Sequence, residues 1–267
     1  MLTRFHKMHG LGNDFVVFDA RSIDISMDPA RARALADRHT GVGCDQLIVL
    51  RASPHADADM RIYNHDGGQV EACGNAARCV AQLLGGAPTL STRGGRLATN
   101  VAAAGVTVEL EAPRFDWTEI PLAEAMDTRA MPVAWDALER PAAVNVGNPH
   151  LVFFVPDADA IDLAELGSRI EQDPLFPDRI NVNVATVHAG GIALRVWERG
   201  AGLTQSCGTG ACATAVVAIR AGLTQSPVTV SLPGGNLVIE WTSGSSIRMT
   251  GPAAHVFTGE IDLEAFG

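Results

Sequence analysis

Two cysteines stand in closely similar surroundings and are the residues best suited to chemistry. Cys73 lies in the segment Ala-Cys-Gly-Asn and Cys207 in Ser-Cys-Gly-Thr, and each is followed by a run of small apolar residues that predicts a buried helix. A thiol at a helix start faces unpaired backbone N–H groups and the positive end of the helix dipole. We therefore expect the pKa of both thiols to be lowered, so that more thiolate is present near neutral pH.

The residues after each cysteine predict an anion site. Gly74 and Asn75, and in the second motif Gly208 and Thr209, carry the first N–H groups of the two helices. Such N–H groups hold carboxylates and phosphates because no backbone carbonyl inside the helix pairs with them. If both helix starts face one cleft, they bind one carboxylate from two sides.

Two opposed thiols beside a carboxylate site suit the inversion of an amino acid at Cα. One group removes the proton from one face, and the other delivers a proton to the opposite face, with the roles exchanged in the reverse direction. Charge that develops on the carbanion spreads into the carboxylate, where the N–H groups stabilise it. This scheme needs no pyridoxal lysine and no other cofactor, and it requires no metal.

Packing, zinc binding and redox chemistry are the other roles open to the five cysteines. Cys79 and Cys212 lie in Ala-rich segments and are expected to act as small buried hydrophobes, and Cys44 as a packed residue near a strand start. Spacings of C-x5-C and C-x4-C lack the short zinc knuckle and do not share a helix face. A C-x-x-C redox motif is also absent from the sequence.

The chain repeats itself with an offset of 134 or 135 residues. Segment 12–18 (GNDFVVF) matches 147–153 (GNPHLVF), and Gln46 falls on Asn181 at the same offset of 135. Segment 61–64 then matches 195–198, and 73–75 matches 207–209, at an offset of 134. Because polar residues are paired as well as strand-like ones, we interpret the chain as two homologous halves that each supply the same kind of group to one site.

The predicted fold class is α+β, a mixed α/β protein of two pseudo-symmetric domains, each a curved, barrel-like sheet wrapped around a central buried helix. Short alternating or β-branched runs predict strands, and helices are predicted only at Pro29–Arg38, Gly74–Leu84 and Gly208–Ala221. The expected domains are 1–118, carrying Cys73 and joined by a C-terminal strand at 256–267, and 119–255, carrying Cys207. The proline-rich stretch 113–141 contains the connection.

Composition excludes several classes of function. A net charge of −10 argues against binding to nucleic acid or to an anionic membrane surface, both of which need clustered Lys and Arg. The first residues mix charged and polar types, so they do not form the apolar core of a secretory signal. We expect a cytoplasmic protein whose partner is a small-molecule substrate.

The motifs KMHGLGNDF, CGN with its upstream NxDG, GNPH, WERGAG and CGTGACA together resemble the diaminopimelate epimerase family, nearly from end to end. The resemblance implies a cofactor-independent epimerase that interconverts LL- and meso-2,6-diaminopimelate in lysine and peptidoglycan precursor synthesis, with Cys73 and Cys207 as the catalytic pair. It implies supporting roles for His150 and Glu198, and a homodimer. The substrate contacts that it implies are Asn13, Gln46, Asn64, Gly74, Asn75, Asn148, Asn181, Glu198, Arg199, Gly208 and Thr209.

Four positions depart from the usual pattern of that family: Ala76 replaces Gly, His65 replaces a small residue, Leu203 replaces an acid, and Phe257 replaces a tyrosine linked to dimer contact. The first is harmless in a helix. Two other functions therefore stay open: a racemase of the same design for another amino acid, and a non-catalytic binding or redox-sensing protein that keeps the thiols.

Overall fold

A computed structural model describes residues 2–266 of the chain. The chain divides into two compact units. Unit 1 comprises Met1–Val108 and Thr250–Gly267, and unit 2 comprises Glu109–Met249. The domain limits predicted from sequence, at 118 and 256, stay a prediction. No helix within 2–266 is long and apolar enough to cross a membrane.

Strands dominate the secondary structure, as the sequence predicts. In chain order they are β1 (Leu2–Gly10), β2 (Asn13–Ala20), β3 (Gln46–Arg51), β4 (Ala58–Asn64), β5 (Gln69–Val70), β6 (Thr89–Thr92), β7 (Gly95–Ala102), β8 (Gly105–Leu110), β9 (Ala134–Trp135), β10 (Leu138–Glu139), β11 (Ala142–Asn145), β12 (Pro149–Phe154), β13 (Asn181–His188), β14 (Gly191–Glu198), β15 (Gly202–Thr204), β16 (Val228–Leu232), β17 (Gly235–Glu240), β18 (Ile247–Gly251) and β19 (Ala254–Asp262). The helices are α1 (Pro29–Ala36), α2 (Gly74–Leu84), α3 (Leu163–Glu171) and α4 (Gly208–Arg220), with a 3₁₀ turn at Leu263–Phe266.

The helix α3 is absent from the sequence-based prediction. Asp162 caps it by accepting a hydrogen bond from the Glu165 N–H, and Leu163, Leu166 and Ile170 form its buried face. Gly167 in its middle weakens the local helix signal. The glycine is required by packing, because a Cβ there would lie 2.5 Å from the ring of Trp197.

The strands of unit 1 surround α2. β1 pairs antiparallel with both β19 and β2, β2 runs parallel to β3, and β3 and β4 are antiparallel. α2 packs against β1, β2, β7 and β19. Seven consecutive residues of the helix, Asn75–Ala81, are buried, which matches a helix enclosed by its sheet.

Unit 2 repeats this arrangement around α4. β12 runs parallel to β13, as β2 does to β3 in unit 1. β13 and β14 are antiparallel, as are β3 and β4 in unit 1. The register is also the same: Phe15 pairs with Gln46 in unit 1, and His150 pairs with Asn181 in unit 2. The duplication read from the sequence is therefore confirmed, and the two units are pseudo-symmetric.

Candidate functional site

In unit 1, Cys73 is the N-cap residue of α2. Its backbone is extended, with φ −149° and ψ 113°, so the chain enters the helix directly after the cysteine. Cys73 is partly exposed, and its Sγ atom lies 3.9 Å from Oδ1 of Asn13. The same oxygen accepts a hydrogen bond from Nδ2 of Asn75 at 3.3 Å. Three residues predicted from the two motifs thus meet at the start of this helix.

Asn13 is held in place by Asp45, which is itself hydrogen-bonded to Asp14, and the sequence-based site included neither acid. Nδ2 of Asn13 donates to Oδ2 of Asp45 at 3.1 Å, which leaves Oδ1 facing Cys73 and Asn75. Asp14 and Asp45 each accept the other's backbone N–H at 3.0 Å. These contacts fix the starts of β2 and β3, whose first residues are Asn13 and Gln46.

Two cations neutralise this pair of acids. Nη2 of Arg38 lies 2.7 Å from a carboxylate oxygen of Asp14 and 2.7 Å from one of Asp45. Lys7 also contacts Asp14 through Nζ. Hydrogen bonds from Arg38 and Lys7 outweigh burial and hold the pKa of Asp14 well below its usual range. In the sequence, the only indication of this network is that each acid is adjacent to a predicted site residue, in Asn13-Asp14 and Asp45-Gln46.

Gln46 and Asn64 meet across neighbouring strands. They are register partners of β3 and β4, and Nε2 of Gln46 donates to Oδ1 of Asn64 at 2.9 Å. Oε1 of Gln46 is buried and has no hydrogen-bond partner among residues 2–266. A buried acceptor without a partner favours an added donor, such as a substrate ammonium group.

In unit 2, Cys207 is the N-cap residue of α4 and is almost fully buried. Its Sγ accepts a hydrogen bond from the Gly210 N–H at 3.3 Å and lies 3.6 Å from Oγ1 of Thr209. The thiol donates to Oε2 of Glu198 at 3.1 Å. Oγ1 of Thr204 donates to the other oxygen of Glu198 at 2.6 Å, so the carboxylate is held in position. Thr204 is a supporting residue that the sequence-based site did not include.

The pKa of Cys207 differs from the expectation for a helix start. Burial, and next the charge of Glu198, raise the pKa of this thiol well above its ordinary value. Burial also raises the pKa of Glu198. The expected lowering of the pKa is therefore wrong for Cys207, because burial of the thiol outweighs the local effect of the helix start. The arrangement instead gives the thiol a carboxylate that is able to accept its proton.

His150 lies on β12 and is completely buried. Its Nε2 is 2.9 Å from Oδ1 of Asn148, and its Nδ1 is 3.1 Å from Nδ2 of Asn183. Burial lowers the pKa of His150 to about 3, so the ring is neutral at physiological pH. Asn183 was missed in the sequence, although Asn-Val-Asn at 181–183 places two amides on one face of a strand.

Asn181 and Arg199 are joined through the backbone. Oδ1 of Asn181 accepts the Arg199 N–H at 3.0 Å, and its Nδ2 donates to the Pro149 carbonyl at 2.8 Å. The Arg199 side chain is exposed, and Nη1 donates to the Asp178 carbonyl at 2.9 Å. These bonds set the position of the turn that follows Glu198.

The helix α3 supports the same turn from its C-terminal end. Oε1 of Glu171 accepts the Gly200 N–H at 2.9 Å, and Oε2 accepts Nε1 of Trp197 at 2.7 Å. Leu203, which is 46% exposed, still pairs with Trp197 in the β14–β15 hairpin, so this departure from the family pattern leaves the hairpin intact. His65 is exposed at the end of β4. Within residues 2–266, no group of three or more acidic, cysteine or histidine side chains is placed to bind a metal ion.

Solved structures define the class of fold. A phenazine biosynthesis protein of the PhzF family from Bacillus anthracis matches with a TM-score of 0.69 at 14% identity, covering 98% of this chain and 99% of that one. A hydroxyproline epimerase from Agrobacterium vitis matches with a TM-score of 0.67 at 16% identity, covering 97% and 91%. The chain therefore shares its two-unit fold with both of these proteins.

Sequence comparison defines the family. The diaminopimelate epimerase family model matches residues 5–115 and 142–256. A diaminopimelate epimerase from Rhizorhabdus wittichii is 68% identical to the chain, and the match covers 100% of this chain and 98% of the relative. One from Sphingopyxis alaskensis is 63% identical, and that match covers 100% of both chains. The chain belongs to the diaminopimelate epimerase family and is an isomerase.

Proposed function

We propose that the chain interconverts LL- and meso-2,6-diaminopimelate by a two-base mechanism in which Cys73 and Cys207 serve opposite faces of Cα. Family membership over almost the whole chain supports the substrate. The observation that carries the mechanism is the pair of matching helix starts, each with a cysteine at the N-cap.

In the proposed reaction, one cysteine thiolate removes the Cα proton and becomes a thiol. The other cysteine thiol delivers its proton to the opposite face and becomes a thiolate. Negative charge on the intermediate spreads into the reacting carboxylate, which the N–H groups of Gly74, Asn75, Gly208 and Thr209 bind. No cofactor is consumed, because proton removal and proton delivery balance.

Glu198 makes thiolate formation possible at Cys207. The 3.1 Å contact lets its carboxylate accept the thiol proton. The raised pKa of Glu198 makes that proton transfer less unfavourable than it would be to an ordinary carboxylate. Neutral His150, joined to Asn148, is proposed as a supporting residue rather than as a charged acid.

The remaining polar residues are proposed to bind the rest of the substrate. A molecule with two amino-acid ends needs acceptors for ammonium groups and donors for carboxylates, and amides supply both. Exposed Arg199 is suited to the distal carboxylate as a charge-assisted partner. This group comprises Asn13, Gln46, Asn64, Asn148, Asn181, Glu198 and Arg199.

Solvent exchange tests the proposal. Wild-type protein in D₂O should incorporate deuterium at Cα of LL-diaminopimelate and form the meso isomer. The variants Cys73→Ala and Cys207→Ala should form no meso isomer. Cys79→Ala is the matched control, because Cys79 is a buried helical cysteine outside the site. Exchange with alanine or proline but not diaminopimelate would favour another racemase. A lack of exchange with every amino acid would favour a non-catalytic protein.

The resemblance also leads us to propose a cytoplasmic homodimer with Phe257 in its contact. Phe257 is 47% exposed and Val256 is 56% exposed on β19, and Leu2 on neighbouring β1 is 64% exposed. Phe257→Glu should convert a dimer to a monomer in analytical ultracentrifugation. Leu223→Glu, at another exposed apolar position, is the control. A wild-type monomer would contradict the proposal.

A further inference from the structure

Asn183 makes three close contacts at the centre of unit 2. It is fully buried on β13, and its Nδ2 donates to the Leu151 carbonyl at 2.8 Å while lying 3.1 Å from Nδ1 of His150. Its Oδ1 has no hydrogen-bond partner among the described residues. A Cβ added at Gly210 would lie 2.7 Å from this oxygen, so the amide packs directly against the first turn of α4.

The Leu151 carbonyl fixes the orientation of the Asn183 amide. A carbonyl oxygen only accepts hydrogen bonds, so the atom of Asn183 next to it must be the NH₂ group. The second hydrogen of that NH₂ group then points at Nδ1 of His150. Since an amide nitrogen does not accept hydrogen bonds, Nδ1 must be the acceptor and must carry no proton.

A neutral imidazole carries one proton, so the His150 proton is on Nε2. Nε2 donates it to Oδ1 of Asn148 at 2.9 Å. The Asn148 amide is thereby oriented, with its NH₂ group turned away from His150. We infer that Asn183 is a positioning residue that holds His150 in the Nε2–H tautomer and so presents the Asn148 NH₂ group to the substrate. This inference rests on the proposed function, which makes Asn148 a substrate contact.

Comparison with unit 1 supports a specific role for the pair. The residue that matches His150 in strand register is Phe15, and the residue that matches Asn183 is Ile48; both are fully buried. The corresponding strands therefore form without either polar side chain. In unit 2 both positions are polar together. Without Asn183, Nδ1 of His150 would lose its donor, and without His150, the second amide hydrogen of Asn183 would lose its acceptor.

Ring-nitrogen NMR of unliganded protein tests the tautomer directly. Long-range ¹⁵N–¹H spectra of the wild type should show unprotonated Nδ1 and protonated Nε2 for His150 across neutral pH, with signals assigned by their loss in His150→Gln. Asn183→Asp places an acceptor beside Nδ1 and should move the proton to Nδ1. Asn183→Leu removes the donor, so both tautomers of His150 should be populated. This variant provides the test if Asn183→Asp does not fold. Protonated Nδ1 in the wild type would overturn the inference.

Kinetics test the link to Asn148. Asn183→Leu should raise KM for diaminopimelate by about two- to tenfold, the value of one neutral hydrogen bond, with a smaller effect on kcat. In an Asn148→Ala background the same change should have no further effect on KM. An equal increase in both backgrounds would contradict the inference, since it would indicate a general packing defect.

Thr214→Val provides a matched control in the same unit. Thr214 is fully buried in α4, and its hydroxyl has no hydrogen-bond partner among residues 2–266. Replacing it with valine should leave both KM and the His150 spectrum unchanged. If the wild type fails to turn over diaminopimelate, the proposed function falls, whereas the tautomer is still decided by the spectra.

Discussion

The Sγ atom of Cys207, a residue that is only 3% exposed, lies 3.1 Å from Oε2 of Glu198. The same carboxylate has two opposing effects on the thiol. Its charge raises the pKa of Cys207, and its oxygen is placed to accept the Cys207 proton. The balance between these effects decides how the thiolate forms.

Glu198→Gln separates the two effects. We expect kcat to fall by about 10²- to 10⁴-fold, the usual contribution of a positioned proton acceptor, because Gln is not basic. Turnover of LL-diaminopimelate should be measured beside Glu240→Gln, an exposed acid paired with Arg248. An increase in turnover would show instead that charge repulsion on the thiol dominates.

Alkylation should distinguish the cysteines by exposure and pKa. Cys73 is partly exposed and should react first with iodoacetamide, with diaminopimelate protecting it. Burial raises the pKa of Cys44 and of Cys79 to about 12, and the pKa of Cys207 is also raised, so these thiols should react slowly. Mass spectrometry after short pulses gives the order. First labelling of Cys44 or Cys79 would contradict this expectation.

Gly210→Ala should destabilise unit 2 although alanine is the better helix former. The new Cβ would lie 2.7 Å from Oδ1 of Asn183 and 3.1 Å from a methyl group of Val196. Overpacking of this kind costs about 1–3 kcal/mol, more than the gain in helix propensity. The unfolding midpoint in urea should fall. Ala211→Gly, at the next position of the same helix, is the comparison: it combines the loss of helix propensity with the loss of one buried methyl group.

His150 should make the protein less stable as the pH falls. Its folded pKa of about 3 lies below the unfolded value of 6.5, so the unfolded chain binds a proton first. Stability is complete above pH 6.5 and is lost as the pH falls towards 3, by at most about 1.4 kcal/mol per pH unit. Urea unfolding of His150→Gln should show a weaker pH dependence between pH 7 and pH 5. His55→Gln, at an exposed histidine, should match the wild type.

Local sequence patterns predicted most of the fold. The offsets of 134 and 135 residues, together with strand alternation, predict two equivalent sheets and their central helices. The helix α3 was missed because Gly167 lowers its propensity, and only contact with Trp197 explains that glycine. A packing requirement of this kind arises between segments that are distant in sequence.

The same limit applies to the site. Asp45 binds Asn13 from 32 positions away, through the parallel pairing of β2 with β3, and sequence alone does not give that side-chain orientation. The pKa of Cys207 was predicted from its helix, whereas burial by the surrounding sheet determines it. Residue types were therefore easier to predict than their contacts or their charge states.

The pairing of β1 with β19 has a consequence for the order in which the protein is made. His6 and His255, which touch across this pair, are 249 positions apart, whereas unit 2 is one continuous stretch of chain. During synthesis unit 2 is complete before β19 leaves the ribosome, and unit 1 must wait with β1 unpaired on that edge. The half that carries Cys73 is thus expected to mature last, and the nascent chain to expose an open strand edge until then.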